Sequence, residues 1–156
     1  MEKPSVYLET SFVSYLTAKP SRNLIVAAHQ SITNDWWENH RQFFELFISQ
    51  VVVDEAKLGD PQAAAKRLKI LYDISHLDIS EEVEYFSHIL VERKILPQQS
   101  LEDALHVAVS CISGIDYLLT WNCKHIAHAK KRGEVERVCL EFGYIYPTIC
   151  TPEELL

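Results

Sequence analysis

Glycine, proline and long apolar stretches are all scarce in this chain of 156 residues. Its 4 glycines are isolated from one another, so no Gly-rich phosphate loop or dinucleotide-binding fingerprint can be assembled from them. Together with only 6 prolines, they argue against the many tight turns of a small all-β barrel. The longest apolar stretches have about five residues, whereas a bilayer-spanning helix needs about 20, so we expect no membrane segment.

Positive charge is also in deficit, because 15 Lys and Arg residues stand against 22 Asp and Glu residues, for a formal net charge of −7. This balance excludes nucleic-acid binding through overall positive charge but leaves a local basic groove open. The composition, 47% apolar and 24% charged, is that of a globular protein, and the length predicts one domain over residues 1–156.

The cysteines form no C-x-x-C pair, and their irregular spacing argues against a zinc site. They stand at Cys111, Cys123, Cys139 and Cys150. The N-terminal residues carry charges and a proline instead of the apolar run of a secretion signal. We therefore expect reduced thiols in a cytoplasmic protein.

Short β-branched or aromatic runs alternate with longer helical patterns along the chain. The runs predict strands at residues 5–8, 50–53, 74–79, 115–120 and 144–149. Pro147 within the last run indicates an edge strand. Strands separated by helices predict an α/β protein with a five-stranded parallel sheet that is covered on both faces.

The helical patterns have recognisable start signals. In the first half of the chain, helices are predicted up to about residue 29 with a break at Pro20, and from Asn34 or Asp35 through Phe47. A further helix is predicted to start from a cap at Asp60, with Pro61 at its first position. The last three are predicted from Ser80 to about Lys94, over residues 100–112, and over residues 124–142 with a break near Gly133. In parallel sheets, ligands bind beyond the carboxyl ends of the strands, which directs attention to the residues that follow each strand.

Acidic and amide side chains follow several of the predicted strands. Glu9 follows the first strand, Asp54 and Glu55 follow the second, and Asn122 comes shortly after the fourth. Carboxylates brought together repel one another unless a hard cation such as Mg²⁺ or Mn²⁺ neutralises them. Metal-assisted hydrolysis of a phosphodiester is the chemistry that this arrangement fits best.

Four motifs in register resemble those of the PIN domain family over nearly the whole chain. They are Val6-Tyr7-Leu8-Glu9-Thr10-Ser11, Val51-Val52-Val53-Asp54-Glu55, Asp103-Ala104-Leu105-His106-Val107-Ala108 and Asp116-Tyr117-Leu118-Leu119-Thr120-Trp121-Asn122. The resemblance implies a three-layer α/β/α sandwich with a five-stranded parallel sheet and a Mg²⁺- or Mn²⁺-dependent ribonuclease. Many single-domain members of the family are VapC-like toxins of toxin–antitoxin pairs, which implies a homodimer and a small antitoxin partner.

The resemblance also assigns candidate site residues one by one. Glu9, Glu55 and Asp103 match the first, second and third acidic positions, which implies that they hold the metal ion, and Thr120 is implied to orient a ligand or water. Glu9 is one methylene longer than the usual aspartate, and Asn122 stands where a fourth acidic residue is usual. The neutral amide is expected to weaken a second metal site more than the first.

Structural interpretations compete with these roles. Glu9 and Asp103 could each stabilise the start of a helix without any metal, and Glu55 could be a solvated helix residue. His106 is one helical turn beyond Asp103 and could approach the site, but among apolar neighbours it is more typical of a packed, hydrogen-bonded histidine. Asp116 lies at the opposite end of its strand from Asn122 and is a poor substitute for a fourth carboxylate.

Lys57 and Lys124 each follow a site motif by two residues and are the preferred candidates for contacts with RNA phosphates. Trp36 and Trp37 are more typical of packing or of a partner interface than of base stacking. The sequence thus predicts an endoribonuclease, with a catalytically weakened or inactive module that binds RNA or a protein as the alternative. A phosphoacceptor signalling domain is set aside, because the acidic pair after the first strand and the lysine near the last are both missing.

Overall fold

The computed structural model describes residues 2–156, and these form one five-stranded sheet in which every pair of neighbouring strands is parallel. The strands are β1 (Ser5–Leu8), β2 (Glu45–Ser49), β3 (Ser75–Leu77), β4 (Tyr117–Leu119) and β5 (Thr148–Cys150). Their order across the sheet is β3-β2-β1-β4-β5, which places β5 at an edge as Pro147 predicted. The α/β class and the five-stranded parallel sheet predicted from the sequence are confirmed.

Helices occupy most of the chain between the strands. They are α1 (Thr10–Thr17), α2 (Leu24–Asn39), α3 (Gln50–Ala56), α4 (Pro61–Leu71), α5 (Glu81–Glu92), α6 (Leu101–Ile112) and α7 (Ala129–Glu141), with 3₁₀ turns at Arg41–Phe43 and Pro152–Leu155. Val6, Tyr7 and Leu8 of β1 are all fully buried, although successive strand residues point to opposite faces of a sheet. The centre of the sheet is therefore covered on both faces.

The predicted strand over residues 50–53 is wrong, because these residues form the first turn of α3. The strand lies just before them, at Glu45–Ser49, and Ser49 is the N-cap of the helix. Val52 and Ala56 are fully buried and stand four residues apart, which is the spacing of one helix face. Glu55 consequently belongs to the last turn of α3 and does not directly follow a strand.

The predicted boundaries are also wrong in two helical regions. A single helix, α2, runs from the Asn23 cap through Trp36 and Trp37, whereas the prediction ended one helix near residue 29 and continued another to Phe47. Phe47 instead lies in β2. Helix α7 begins at Ala129, later than predicted, and continues through Gly133 without a break.

Several start signals were predicted well. Asp60 caps α4, with Pro61 at its first position, and the side chain of Ser80 caps α5 by accepting from the backbone N–H of Val83.

Within residues 2–156, no helix is both long enough and apolar enough to cross a bilayer.

The sheet register brings the ends of the central strands together at one edge. Leu8 pairs with Leu119, and the backbone N–H of Glu9 donates to the Leu119 carbonyl at 3.1 Å, which extends this ladder by one residue. Glu9 and Thr120 therefore lie side by side where β1 and β4 end. Both residues are buried, at 4% and 0% exposure.

Candidate functional site

Glu9 is the N-cap of α1, and its carboxylate is held by donors from the first turn of that helix and from the end of β4. Its Oε2 accepts from the Ser11 backbone N–H at 3.0 Å, and its Oε1 accepts from the hydroxyls of Ser11 and Thr120, each at 2.5 Å. The Thr120 hydroxyl in turn accepts from the Asn122 backbone N–H at 2.9 Å. Glu9 thus caps a helix, as one interpretation of the sequence had it, and its carboxylate is fixed at the carboxyl edge of the sheet.

Glu55 on α3 lies close to Glu9, and His106 on α6 lies next to the carboxylates of both residues. The Nε2 atom of His106 lies 2.5 Å from Glu55 Oε1 and 4.0 Å from Glu9 Oε2. The Thr10 hydroxyl also donates to Glu55 Oε1, at 2.6 Å. Three elements, α1, α3 and α6, therefore meet at this point.

His106 is fully buried and hydrogen-bonded at both ring nitrogens, so its predicted packing is confirmed. Its Nδ1 lies 2.6 Å from the Tyr7 hydroxyl, which is 2.8 Å from the hydroxyl of Ser49. The same residue also contacts a candidate site carboxylate, Glu55, so it approaches the site as its position one turn beyond Asp103 allowed. A buried chain of hydrogen bonds thus runs from β2 through β1 to α6 and then to Glu55.

The proximity of these groups shifts their ionisation. Burial lowers the pKa of His106, but the hydrogen bond to Glu55 and the surrounding carboxylates outweigh it, so the pKa is raised above the usual 6.5. Burial raises the pKa of Glu55, but the His106 contacts and the Thr10 hydrogen bond outweigh it, so the pKa falls below the usual 4.5. Glu55 is therefore a carboxylate at neutral pH, with a histidine that favours the protonated form as its partner.

Glu9, Glu55 and His106 form what we call the carboxylate–histidine group. One ligand atom from each lies within 4.8 Å of the others, and within residues 2–156 no other set of three or more acidic, histidine or cysteine side chains meets that distance. Ligand atoms on opposite sides of a Mg²⁺ ion lie about 4.2 Å apart, since each bond is about 2.1 Å. The two carboxylates at this spacing fit a divalent ion, whereas both ring nitrogens of His106 are already engaged in hydrogen bonds.

Asp103 lies on the first turn of α6, three residues before His106, but outside the carboxylate–histidine group. Its Oδ1 accepts from the Asn122 amide at 3.2 Å, and its Oδ2 lies 3.1 Å from His125 Nδ1. We call Asp103, Asn122 and His125 the Asp103 cluster. The Ser100 side chain makes no capping hydrogen bond to α6, so Asp103 is not half of a capping box.

Sequence reasoning missed His125. It stands three residues after Asn122, in the loop between β4 and α7, and its backbone N–H donates to Asn122 Oδ1 at 3.1 Å. An asparagine that accepts from a backbone N–H three residues later is a local turn pattern, which is the one signal that was available. The contact of His125 with Asp103 depends on how this loop folds back toward α6.

The remaining predicted residues lie as follows. Lys57 and Lys124 are exposed, and in the described part of the chain neither forms an ion pair within 4 Å. Asp116 accepts from the backbone N–H and hydroxyl of Ser5 at the far end of the sheet, away from Glu9. Trp36 is fully buried against Phe12, which is the predicted packing role.

Replacing Thr120 by valine is expected to lower the free energy of unfolding by about 1–2 kcal/mol, because Glu9 loses one donor and the Asn122 N–H loses its acceptor. The chain otherwise keeps its shape, since valine matches threonine in size. Thermal or urea unfolding of the metal-free protein would measure the change. Thr120→Ser keeps the hydroxyl and should retain most of the stability; equal losses in the two variants would contradict the argument.

Comparison with known proteins supports the fold. No family model and no curated protein matches the sequence. A chain of VapBC2 from Rickettsia felis, solved bound to a DNA fragment from its promoter, matches with a TM-score of 0.58 and 17% identity over 94% of this chain and 97% of that one. VapC20 of Mycobacterium tuberculosis, described as a toxin that cleaves the sarcin–ricin loop, matches with a TM-score of 0.59 and 18% identity over 80% of this chain and 95% of that one. The chain therefore has the PIN-like fold of VapC proteins.

Proposed function

We propose that this chain is a Mg²⁺- or Mn²⁺-dependent endoribonuclease that hydrolyses RNA phosphodiester bonds. The observation that carries the proposal is the convergence of Glu9 and Glu55 on His106 at the carboxyl edge of a PIN-like sheet. Asp103 lies one helical turn before His106 and is the third acidic residue of the proposed metal site. In an open α/β sheet this edge is where ligands bind.

Each of the site residues has a separate role in the proposed reaction. A bound divalent ion would supply polarisation of the phosphate and a more acidic water. Glu9 and Glu55 would hold it, and their own hydrogen bonds to Thr120 and Thr10 fix them before it binds. His106 positions Glu55 through its Nε2 hydrogen bond. Lys57 and Lys124, exposed and unpaired in the described chain, are proposed phosphate contacts.

The structural neighbours suggest a biological setting. VapC20 is described as cleaving the sarcin–ricin loop, and VapBC2 is a complex crystallised with promoter DNA. By analogy, we propose that this chain is the toxin of a toxin–antitoxin pair and works in the cytoplasm as a homodimer. Its net charge of −7 would complement a basic segment of a small antitoxin.

The first experiment is cleavage of labelled ribosomal and transfer RNA by the purified wild type and by Asp103→Asn, with Mn²⁺ and with EDTA. Wild-type cleavage should require the metal, and the variant should cleave at least about 100-fold more slowly. Glu102→Gln is the matched control, because its exposed carboxylate is adjacent in sequence and about 100° away around the helix. Equal cleavage by all three proteins would contradict the proposal.

One observation favours a second candidate, a catalytically weakened module that binds RNA or a protein. The Asn122 side chain is uncharged and both of its polar groups are engaged, the amide with Asp103 and the oxygen with the His125 N–H, so this residue adds no negative charge to the site. For this candidate we expect RNA binding in a gel-shift assay without cleavage. Binding that is lost in Lys57→Ala but unaffected in Glu55→Gln would support it.

A further inference from the structure

Two cysteines on different helices meet in the core, outside the carboxylate–histidine group. Cys111 lies in the last turn of α6 and Cys139 in the last turn of α7, and both are buried, at 1% and 0% exposure. Their Sγ atoms lie 3.0 Å apart. Carbon atoms, which are smaller than sulfur, make van der Waals contact at about 3.5–4.0 Å, so the two thiols are closer than ordinary packing brings them.

The separation of the two Sγ atoms is also close to that of a covalent bond. A disulfide has a sulfur–sulfur distance of about 2.05 Å, so the atoms need to approach by only about 1 Å. Both cysteines stand near the ends of their helices, which finish at Ile112 and Glu141. Helix ends fray and adjust more readily than helix centres, so a shift of this size is accessible.

The other two cysteines have no such partner. Cys150 on β5 is similarly buried, at 2% exposure, and Cys123 is exposed, and in the described part of the chain neither has another sulfur within hydrogen-bonding distance. Burial of a thiol alone is common, because a free cysteine packs like a small apolar residue. The proximity of Cys111 to Cys139, and not their burial, therefore distinguishes this pair.

Burial limits the conditions under which the two thiols react. The pKa of Cys111 is raised well above its usual 9.0 by the neighbouring Cys139 and by burial, so this thiol keeps its proton at neutral pH. A buried and protonated thiol reacts slowly and is closed to bulky oxidants. The pair therefore stays reduced in a reducing compartment and requires a small oxidant that enters during local opening of the fold.

We infer that Cys111 and Cys139 form an intramolecular disulfide that stabilises the fold when the chain is oxidised by hydrogen peroxide. One thiol becomes a sulfenic acid with release of one water, and the second sulfur then attacks it, forming the S–S bond and releasing a second water. Two thiols and one peroxide thus give one disulfide and two waters, with the sulfurs oxidised and the peroxide oxygens reduced. This disulfide does not depend on the proposed function.

The bond would join α6 to the helix that follows the His125 loop. Asp103 lies at the start of α6 and contacts His125, so the cross-link fixes the two elements on either side of that contact. It also lowers the entropy of the unfolded chain, since the cysteines are 28 positions apart. We expect the oxidised chain to unfold about 5–10 °C higher than the reduced chain.

The test uses variants of the full chain that each keep one pair of cysteines. Cys123→Ser with Cys150→Ala keeps the proposed pair, and Cys111→Ala with Cys139→Ala keeps the other two as the matched control. Each is treated with hydrogen peroxide without denaturant, and mass spectrometry without reductant follows the loss of two hydrogens. The first variant should gain an intramolecular disulfide and the higher unfolding temperature, both reversed by dithiothreitol, and the control should gain neither.

Wild type keeps the inference testable if the variants do not fold. No Lys or Arg separates Cys111 from Cys123 or Cys139 from Cys150, so the linked peptides are mapped with a protease that cleaves at aromatic residues. A peptide pair joined through Cys111 and Cys139 would support the inference. Sulfinic acid without a cross-link, a link between other cysteines, a link formed only in urea, or a disulfide that does not raise the unfolding temperature would each overturn it.

Discussion

Glu55→Gln is expected to reduce metal-dependent RNA cleavage by at least about 100-fold. Glutamine keeps the length of the side chain but removes the charge that would hold the ion. It also replaces the acceptor that His106 Nε2 reaches at 2.5 Å with an amide that supplies one acceptor oxygen only. Cleavage rates at saturating Mn²⁺, measured on the RNA that wild type cuts fastest, would give the effect directly.

Asp54→Asn is the matched control for this prediction. Asp54 precedes Glu55 on α3, is exposed, and accepts from the Gln50 amide of the same helix at 2.8 Å. The Asp54→Asn substitution removes one negative charge, as Glu55→Gln does, from the residue next to Glu55, but it leaves the site residues unchanged. Cleavage should stay within about twofold of wild type, since exposed substitutions of this kind have small effects. A large loss in both variants would mean that the effect comes from the negative charge of α3 in general and is not specific to Glu55.

The sequence predicted the locations of the candidate carboxylates better than the elements that carry them. Glu9 was placed correctly, because a β1 motif followed directly by a helix leaves only one position at the strand end. Glu55 was placed near the site by an incorrect argument, since the valine run before it forms helix α3 and not a strand. Short apolar runs do not distinguish the two structures, and here the Ser49 cap and the Val52–Ala56 spacing favour the helix.

Most hydrogen-bond partners of the site residues could not be predicted from the sequence. Neither the Tyr7–His106–Glu55 chain nor the contact of His125 with Asp103 follows from spacing. Each joins elements that are distant along the chain, and their meeting depends on the sheet order and on the course of the loop after β4.

His106→Leu is expected to lower the free energy of unfolding of the metal-free protein by about 3 kcal/mol. Leucine leaves Glu55 facing Glu9 without its imidazole and leaves the buried Tyr7 hydroxyl without its Nδ1 partner. Urea unfolding in EDTA would measure this loss. Adding Mn²⁺ should recover part of it, because a cation at the two carboxylates takes over the neutralisation that His106 provides.

The loss in His106→Leu should depend on pH in a direction that the pKa shifts determine. A histidine with a raised pKa stabilises the fold fully below its unfolded value of 6.5, and this contribution is lost as pH rises through the higher folded pKa. Glu55, with a lowered pKa, contributes fully above 4.5 and loses its contribution as pH falls through its folded pKa. The difference between wild type and variant should therefore be largest between pH 4.5 and 6.5 and smaller on either side.

His106→Gln separates the charge of this histidine from its hydrogen bonds. A glutamine amide can donate to Glu55 and accept from the Tyr7 hydroxyl, but it cannot become positively charged. We expect a smaller loss of stability than in His106→Leu, and a stability difference from wild type that is again greatest between pH 4.5 and 6.5, where the imidazolium is present. If instead the difference between His106→Gln and wild type were constant across pH, the pKa of His106 would be the same in the folded and unfolded chain, which would contradict the charged pairing of His106 with the carboxylates.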